Sequence, residues 1–229
     1  MVTLRIVYKK HRYMKFLSHL ELMKLFERVF RFHKLPLKFS EGFNPHPKMT
    51  FAAPLSVGFS SQAEIMEVQL TEEINIDRVL NMRFPEGIEV TEAKFVNSKG
   101  SLMAAVDFSE YLLKIEFDAN VEDYPFEERL EGFLNQGEVT FEKKTKKGKM
   151  KTINALEMLR NFQFVYKEGN DLILRGIFAS GSNGSLNPVL LGELFLKFCK
   201  MENQVSLIEA ERISLLMAAE DQLVSLYNL

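Results

Sequence analysis

The chain has 229 residues, of which 46% are hydrophobic and 26% are charged, and its formal net charge is −2. These proportions are typical of a folded globular protein with one large core or two smaller ones, and they exclude a largely disordered chain. The apolar runs are short and interrupted by charges, so none approaches the ~20 apolar residues of a membrane-spanning helix. No membrane partner is therefore expected.

The first hundred residues predict six elements in the order β-α-β-β-α-β. They are a strand at 2–9, a helix at 19–34, strands at 49–53 and 64–70, a helix at 75–83 and a strand at 88–96. The first helix has the clearest signal, because Ser18 is a natural N-cap and Glu21 completes a capping box. This order is typical of the ferredoxin-like fold, in which two helices cover one face of an antiparallel sheet.

Residues 97–101 predict a linker, and a similar order of elements follows it. These elements are a strand at 111–117, an acidic helix at 123–135, a strand near 139–141, a hairpin at 162–178, a helix from Pro188 and a strand at 204–217. Asn187 is the predicted N-cap of that helix. The sequence thus predicts an α+β protein of two tandem ferredoxin-like halves with antiparallel sheets, an N-terminal basic domain at 1–97 and a C-terminal domain at 107–229.

Positive charge is concentrated at one end of the chain. Residues 1–50 contain eleven lysines and arginines against three glutamates, a net +8, which leaves −10 for the remainder. Such an end presents positive charge to an anionic partner or neutralises the acidic remainder of the same molecule. Composition leaves both interpretations open.

The cysteine count limits the chemistry of the chain. Cys199 is the only cysteine, so an internal disulfide and a cysteine-ligated iron–sulfur cluster are both excluded within this chain. Residues 1–5 have the pattern of a strand rather than of a signal peptide. We therefore expect a cytoplasmic protein with no cofactor of its own.

Two histidines are candidates for general acid–base catalysis. His19 lies in the first turn of the predicted helix, where the positive end of the helix dipole favours a neutral imidazole. His46 lies between two prolines that hold it rigidly. The alternatives are a hydrogen bond within the turn for His19 and a structural corner for His46. A cleft that both histidines share is expected to be rimmed by Arg12, Lys15 and Lys48. No spacing diagnostic of a metal site accompanies them, so none is predicted.

Basic and aromatic residues alternate through the same region, which is the chemistry that RNA binding requires. Cations neutralise phosphates, and aromatic rings stack on unpaired bases. The predicted binding residues are Arg12, Lys15, Ser18, His19, Lys24, Arg28, Phe43, Asn44, His46 and Lys48. The alternative is a solvated helix face with core aromatics. Weaker candidates for phosphate contact are the lysine-rich turn at 143–151 and the loop at 181–185 before a helix N-terminus.

Three stretches of the first half resemble a known bacterial family: FLSHLELM at 16–23, LPLKFSEGFNPHPK at 35–48 and PLSVG at 54–58. They resemble the uncharacterised radical-SAM-linked family, a domain encoded beside a radical-SAM protein or fused to it. The likeness continues more loosely through 181–188. It implies a cytoplasmic bacterial protein whose radical-SAM partner supplies the iron–sulfur cluster. Genes of that family often lie near those of ribosomal proteins and a ribonuclease, which implies an RNA or ribosome-related partner. No catalytic residues of the family can be transferred.

Three functions remain open at this point. The first is an accessory protein that works with a radical-SAM enzyme and presents an RNA or ribonucleoprotein substrate. The second is a metal-independent endoribonuclease with His19 or His46 as general acid or base. The third is a protein–protein scaffold without nucleic-acid contact. The sequence contains no recognisable catalytic constellation, so it favours a binding role over an enzyme.

Overall fold

The computed structural model describes residues 2–97, 100–144, 148–181, 184–220 and 222–228. Its contacts divide the chain into two units, one of Met1–Asp107 with Arg212–Leu229 and one of Phe108–Glu211. Both contain helices and antiparallel strands, as the α+β prediction requires. The predicted boundary lies at 97–107, but the residues from Arg212 onward belong with the first unit in this division. No helix among the described residues is long and apolar enough to span a membrane.

The first unit has the predicted element order. Its elements are β1 (Val2–Lys10), α1 (His19–Phe32), β2 (Met49–Phe51), β3 (Ser60–Leu70), α2 (Asp77–Leu80) and β4 (Ile88–Val96), with short 3-10 turns at Arg12–Phe16 and Leu102–Ala105. The capping box is confirmed, because the Ser18 hydroxyl accepts from the Glu21 N–H and the Glu21 carboxylate accepts from the Ser18 N–H. Helix α1 ends one turn before Leu35, where Lys34 has a left-handed backbone with φ of 53°.

Strand β1 lies between two neighbouring strands of the first unit's sheet, and its side chains face both sides of that sheet. It pairs antiparallel with β3 on one side and with β4 on the other, while β2 and β10 (Val205–Ala219) both pair with β3. Side chains alternate along a strand, so Leu4 and Ile6 face α1 while Arg5 and Val7 face the opposite side. The α1 side buries Leu22, Phe26 and Phe30 of the helix, and the other side packs on the C-terminal residues. Each fully buried apolar side chain stabilises the fold by about 1.5–3 kcal/mol.

The second unit follows the predicted order of elements with one added strand, which pairs with the strand predicted near 139–141. Its elements are β5 (Phe108–Phe117), α3 (Phe126–Leu134), β6 (Thr140–Lys144), β7 (Met150–Asn154), β8 (Leu159–Glu168), β9 (Asp171–Ala179) and α4 (Pro188–Cys199), and β10 enters it through Val205. The strand order is β10-β5-β9-β8, and β6 with β7 forms a separate two-stranded sheet. Asn187 caps α4 through the Val189 N–H, with Pro188 in the first turn, as predicted. Strand β11 (Gln222–Ser225) then pairs with β10 in the first unit.

Three sequence predictions fall partly outside the described residues. They concern 98–99 of the linker, 145–147 of the lysine-rich turn and 182–183 of the loop before α4. Within the described part, α2 is a single turn rather than the predicted helix at 75–83. The Asn75 side chain accepts from the Asp77 N–H, and the Asn81 side chain donates to the Asp77 carbonyl. These local hydrogen bonds close α2 at both ends, as asparagine side chains do when they compete with helix continuation.

Candidate functional site

The exposed face of α1 carries a line of mostly basic residues. Leu20, Lys24, Arg28 and Arg31 are all exposed, and their spacing of four, four and three places them on one face of the helix. Glu27 lies on this face, and its carboxylate accepts from the Arg31 Nε at 2.9 Å. The buried residues of α1 lie on the opposite face. The prediction of a basic helix face at Lys24 and Arg28 therefore agrees with their exposure.

Four aromatic rings of the first unit lie in solvent. The exposed fractions are 84% for Tyr13, 58% for Phe16, 80% for Phe32 and 112% for Phe43. This is unusual, because a folded chain ordinarily buries most of such side chains. In contrast, Phe26 and Phe30 are fully buried, as expected for core phenylalanines. The sequence left open whether aromatic residues of this region belong to the core or bind a partner. These four rings do not belong to the core.

The N-terminal end of α1 combines three of the predicted residues. Lys15 lies in the preceding 3-10 turn, with its ammonium 5.4 Å from the centre of the Phe16 ring. Ser18 is the N-cap, and its hydroxyl donates to Glu21 Oε2 at 2.7 Å. His19 is half-buried, and the edge-on contact of its ring with Phe51 has a centroid distance of 5.3 Å. This contact favours the structural interpretation of His19.

The loop at 40–46 is closed by its own hydrogen bonds. The Ser40 N–H donates to the His46 carbonyl at 2.8 Å, and the His46 N–H donates to the Ser40 hydroxyl at 3.0 Å. Phe43, Asn44 and His46 all lie exposed on this loop. A compact loop with exposed side chains and an internal backbone is suited to present those side chains to a partner.

The same loop is anchored at the C-terminal end of α1. Phe39 forms a backbone bridge with Pro47, and the Arg31 guanidinium lies 5.0 Å from the Phe39 ring centre. His19 begins α1 twelve residues before Arg31, which is about 18 Å along a helix. The structure thus places His19 and His46 towards opposite ends of α1, and the expected shared cleft does not form.

Three cations, Arg12, Lys15 and Lys48, were expected around the histidine cleft, and two of them contact other parts of the first unit. Arg12 forms an ion pair with Glu86. Met49 and Phe51 pack on the α1 side of the sheet, so Lys48, one residue before Met49, faces the other side. There Lys48 lines a cavity of about 450 Å³ with Thr50 and Glu67. The predicted binding residues therefore lie in three places, the 3-10 turn with Arg12 and Lys15, helix α1 with its N-cap, and the loop at 40–46, with Lys48 in none of them.

A buried polar cluster beneath the start of α1 was missed by the sequence reasoning. Its members are Tyr8, Lys10, Glu64 and Arg212, each at most 3% exposed. Arg212 Nη1 donates to Glu64 Oε1 at 2.8 Å, and its Nη2 donates to the Pro54 carbonyl at 2.9 Å. Lys10 Nζ donates to the Leu17 carbonyl at 2.9 Å, just before the α1 cap. The one available signal was that Lys10 shares the parity of the core positions of β1.

Burial changes the ionisation of two members of this cluster. Burial first, and then the nearby Glu64 carboxylate, raises the pKa of Tyr8 well above its ordinary value of 10.0. Burial also lowers the pKa of Lys10, against the opposing effect of Glu64. Through the Lys10–Leu17 hydrogen bond, the cluster links β1 to the segment before α1 that carries Tyr13 and Phe16.

The raised pKa of Tyr8 predicts a loss of stability at high pH. Above about pH 10 the unfolded chain releases this phenolic proton and the folded chain keeps it. The unfolded state then binds fewer protons, so the free energy of unfolding falls as pH rises, by at most about 1.4 kcal/mol per pH unit. Urea unfolding across this range should show a shallower decline for Tyr8→Phe than for the unchanged protein.

The exposed Tyr166 provides the control for this experiment. Tyr166→Phe removes a hydroxyl from the surface of the second unit and should follow the pH profile of the unchanged protein. Equal declines for the unchanged protein and Tyr8→Phe would contradict the assignment.

Among the described residues, no three side chains of histidine, cysteine, aspartate or glutamate come together as metal ligands.

The described lysines of the lysine-rich turn are exposed, and two of them, Lys143 and Lys151, pair on the β6–β7 sheet. Lys143 Nζ donates to the Ser185 carbonyl at 3.2 Å, beside the loop before α4.

Comparison with solved structures shows a distant similarity of fold. A chain in the crystal structure of a Cbf5-Nop10-Gar1 complex matches with a TM-score of 0.50 and 11% identity, over 91% of this chain and 47% of that one. A chain in an archaeal box H/ACA sRNP Nop10-Cbf5 complex matches with a TM-score of 0.44 and 12% identity, over 91% and 46%. The present chain thus spans slightly less than half the length of these chains. At such identities the similarity concerns the fold alone.

No curated protein matches the chain. Comparison with protein families gives a clearer result. The model of the family DUF2344, described as an uncharacterized protein conserved in bacteria, matches residues 3–188. This match covers most of the chain, including all of α1, the loop at 40–46 and the sheet of the first unit through β4. The chain therefore belongs to the bacterial family DUF2344.

Proposed function

We propose that this chain is an RNA-binding accessory protein, cytoplasmic and without a catalytic site of its own. The observation that supports this function is the set of exposed aromatic rings around a basic helix face. Tyr13, Phe16, Phe32 and Phe43 offer stacking surfaces, and Lys24 and Arg28 offer cations between them. The net +8 of the first fifty residues adds long-range attraction for an anionic partner.

The partner enzyme in this proposal is a radical-SAM protein. The support for it is the resemblance of residues 16–58 to the radical-SAM-linked family. Cys199 is buried and is the chain's only thiol, so the four-iron cluster would belong to the partner. Affinity purification of the tagged chain from its own bacterium, followed by identification of the proteins that co-purify, tests this part of the proposal.

We also propose that the chain consists of two ferredoxin-like domains, one at 1–97 and one at 107–229. The strand neighbours in the first unit, β4-β1-β3 with β2 beside β3, support it. In the second unit the inserted β6–β7 sheet interrupts the pattern. The similarity to the Cbf5-Nop10-Gar1 structure concerns the fold, so the RNA proposal depends on the surface of this chain.

RNA binding is tested by removing the two central cations. Lys24→Ala/Arg28→Ala should weaken binding of labelled single-stranded RNA, measured by fluorescence anisotropy over a series of salt concentrations. The slope of log Kd against log salt should fall by about 1.4, because each phosphate contact to a single strand contributes about 0.7. The control Arg160→Ala/Lys197→Ala removes two exposed cations from the second unit and should leave Kd and slope unchanged.

The state of the RNA after incubation separates the remaining functions. Retained and intact RNA supports the accessory role. Cleaved RNA contradicts it and supports the endoribonuclease with His19 or His46, each acting alone because the structure separates them. If the unchanged protein retains no RNA, the proposal fails and the protein–protein scaffold is the remaining function.

A further inference from the structure

The exposed rings form two groups at opposite ends of α1. Tyr13 and Phe16 precede its N-cap at Ser18, whereas Phe32 is its last residue. Phe43 lies on the loop at 40–46, whose base is attached near the C-terminal end of α1 by the Arg31–Phe39 contact and the Phe39–Pro47 bridge, and we therefore assign it to that end. We define the start group as Tyr13 with Phe16, and the end group as Phe32 with Phe43.

The surface between the two groups is basic and has a defined length. Helix α1 has 14 residues, which corresponds to about 21 Å. Lys24, Arg28 and Arg31 lie along its exposed face. Of the acidic side chains on α1, Glu21 is engaged by the N-cap and Glu27 by Arg31. A ligand along this face meets rings at both ends and positive charge between them.

From this arrangement we propose that α1 binds an unpaired RNA segment of about six nucleotides, stacked at its two ends on the start group and the end group. This inference rests on the proposed RNA-binding function and specifies its ligand. If the stacked strand rises by about 3.4 Å per nucleotide, as one strand of a DNA duplex does, 21 Å correspond to about six nucleotides. The phosphates between the ends contact Lys24 and Arg28, because the Arg31 guanidinium is paired with Glu27 and lies against the Phe39 ring.

Duplex RNA fits this surface poorly. Paired bases are stacked on each other and present no free faces to Tyr13, Phe16, Phe32 or Phe43. Proteins that recognise duplex RNA contact two successive minor grooves over roughly 16 base pairs, a span longer than the 21 Å helix. A single strand uses both the rings and the cations, since every base has a face that stacks and every linkage has a phosphate.

The ligand is identified by a length series. Labelled single-stranded RNA oligonucleotides of increasing length, and a duplex with the longest of these sequences, are titrated with the full chain. Affinity should rise with each added nucleotide up to about six, change little beyond that length, and be weaker for the duplex.

The two ring groups are tested by single and combined substitutions. Phe16→Ala and Phe43→Ala should each weaken binding of the six-nucleotide RNA by roughly 5-fold to 150-fold, the range for loss of one stacked base. The double variant should combine both losses. A trinucleotide is too short to reach both groups, so each single variant leaves the other group as a binding site. The single losses should therefore be small, and only the double variant should lose the stacking contribution. Tyr166→Ala, at an exposed ring of the second unit, is the control and should change nothing.

The outcomes distinguish this inference from the function beneath it. Equal affinity for single strand and duplex, an affinity that keeps rising well beyond six nucleotides, or unchanged binding in both ring variants overturns the inference while RNA binding stands. No binding of any RNA overturns both. Binding of an acidic peptide in place of RNA, lost in the same variants, would identify the surface as a protein-docking face and overturn both.

Discussion

Replacement of Arg212 by alanine is expected to lower the free energy of unfolding by about 3–5 kcal/mol. Arg212 is paired with Glu64 at 2.8 Å, and the two side chains are only 2% and 4% exposed. Its loss leaves the Glu64 carboxylate buried without its cation, and the Pro54 carbonyl loses the hydrogen bond from Nη2. Urea unfolding measured by circular dichroism quantifies the change.

Arg175 provides the matched control. It forms a comparable ion pair with Glu110, but the Arg175 side chain is 47% exposed. Arg175→Ala should therefore cost no more than about 1 kcal/mol. A double variant, Glu64→Leu/Arg212→Met, should recover much of the loss, because replacing both charges with apolar groups removes the uncompensated carboxylate. If Arg212→Ala is no more destabilising than Arg175→Ala, burial of the Glu64–Arg212 pair does not contribute to stability as expected.

The second large effect is expected at Gly87. Its φ is +99°, and a Cβ atom there would lie 2.5 Å from the His11 carbonyl oxygen and 2.9 Å from Met14 Cγ. The His11 N–H also donates to the Gly87 carbonyl at 2.9 Å, so this glycine holds the start of the 3-10 turn. Gly87→Ala combines a strained backbone with a steric clash, and we expect a loss of about 2–4 kcal/mol.

Gly58 allows the two contributions to be separated. It has a similar φ of +91°, but a Cβ atom there would meet nothing within 4 Å. Gly58→Ala should therefore show the backbone cost alone, about 1–2 kcal/mol. The difference between the two variants in thermal unfolding measures the steric part. Equal losses would mean that His11 and Met14 move aside without cost.

Local signals account for the elements that the sequence predicted well. The Ser18–Glu21 capping box lies within one helical turn, so it indicates the start of α1 without knowledge of the fold. Strand β4 has the predicted bounds of 88–96 for the same reason. The length of α2 was overestimated, because the hydrogen bonds of Asn75 and Asn81 compete with the helix at this site.

Contacts between distant residues account for what was missed. Glu64 and Arg212 are 148 residues apart, so neither could be recognised as half of a buried pair. Likewise, Phe32 is not among the predicted binding residues, and only the fold shows that its ring is exposed. The expected histidine cleft did not form because chain order does not reveal that α1 carries the chain about 18 Å away before the loop begins.

The division of β10 between the two units has a consequence for biosynthesis. Asp107 ends the first part of the first unit, and Arg212 begins its second part, so the ribosome adds 104 residues between them. At about 5–20 residues per second, this interval lasts roughly 5–20 seconds. During that time β3 holds Glu64 without its cation, and the growing chain lacks the strand that completes its first sheet. The nascent protein therefore cannot finish its earlier half first, and we expect the uncovered strand edge to be prone to wrong pairing until β10 has been made.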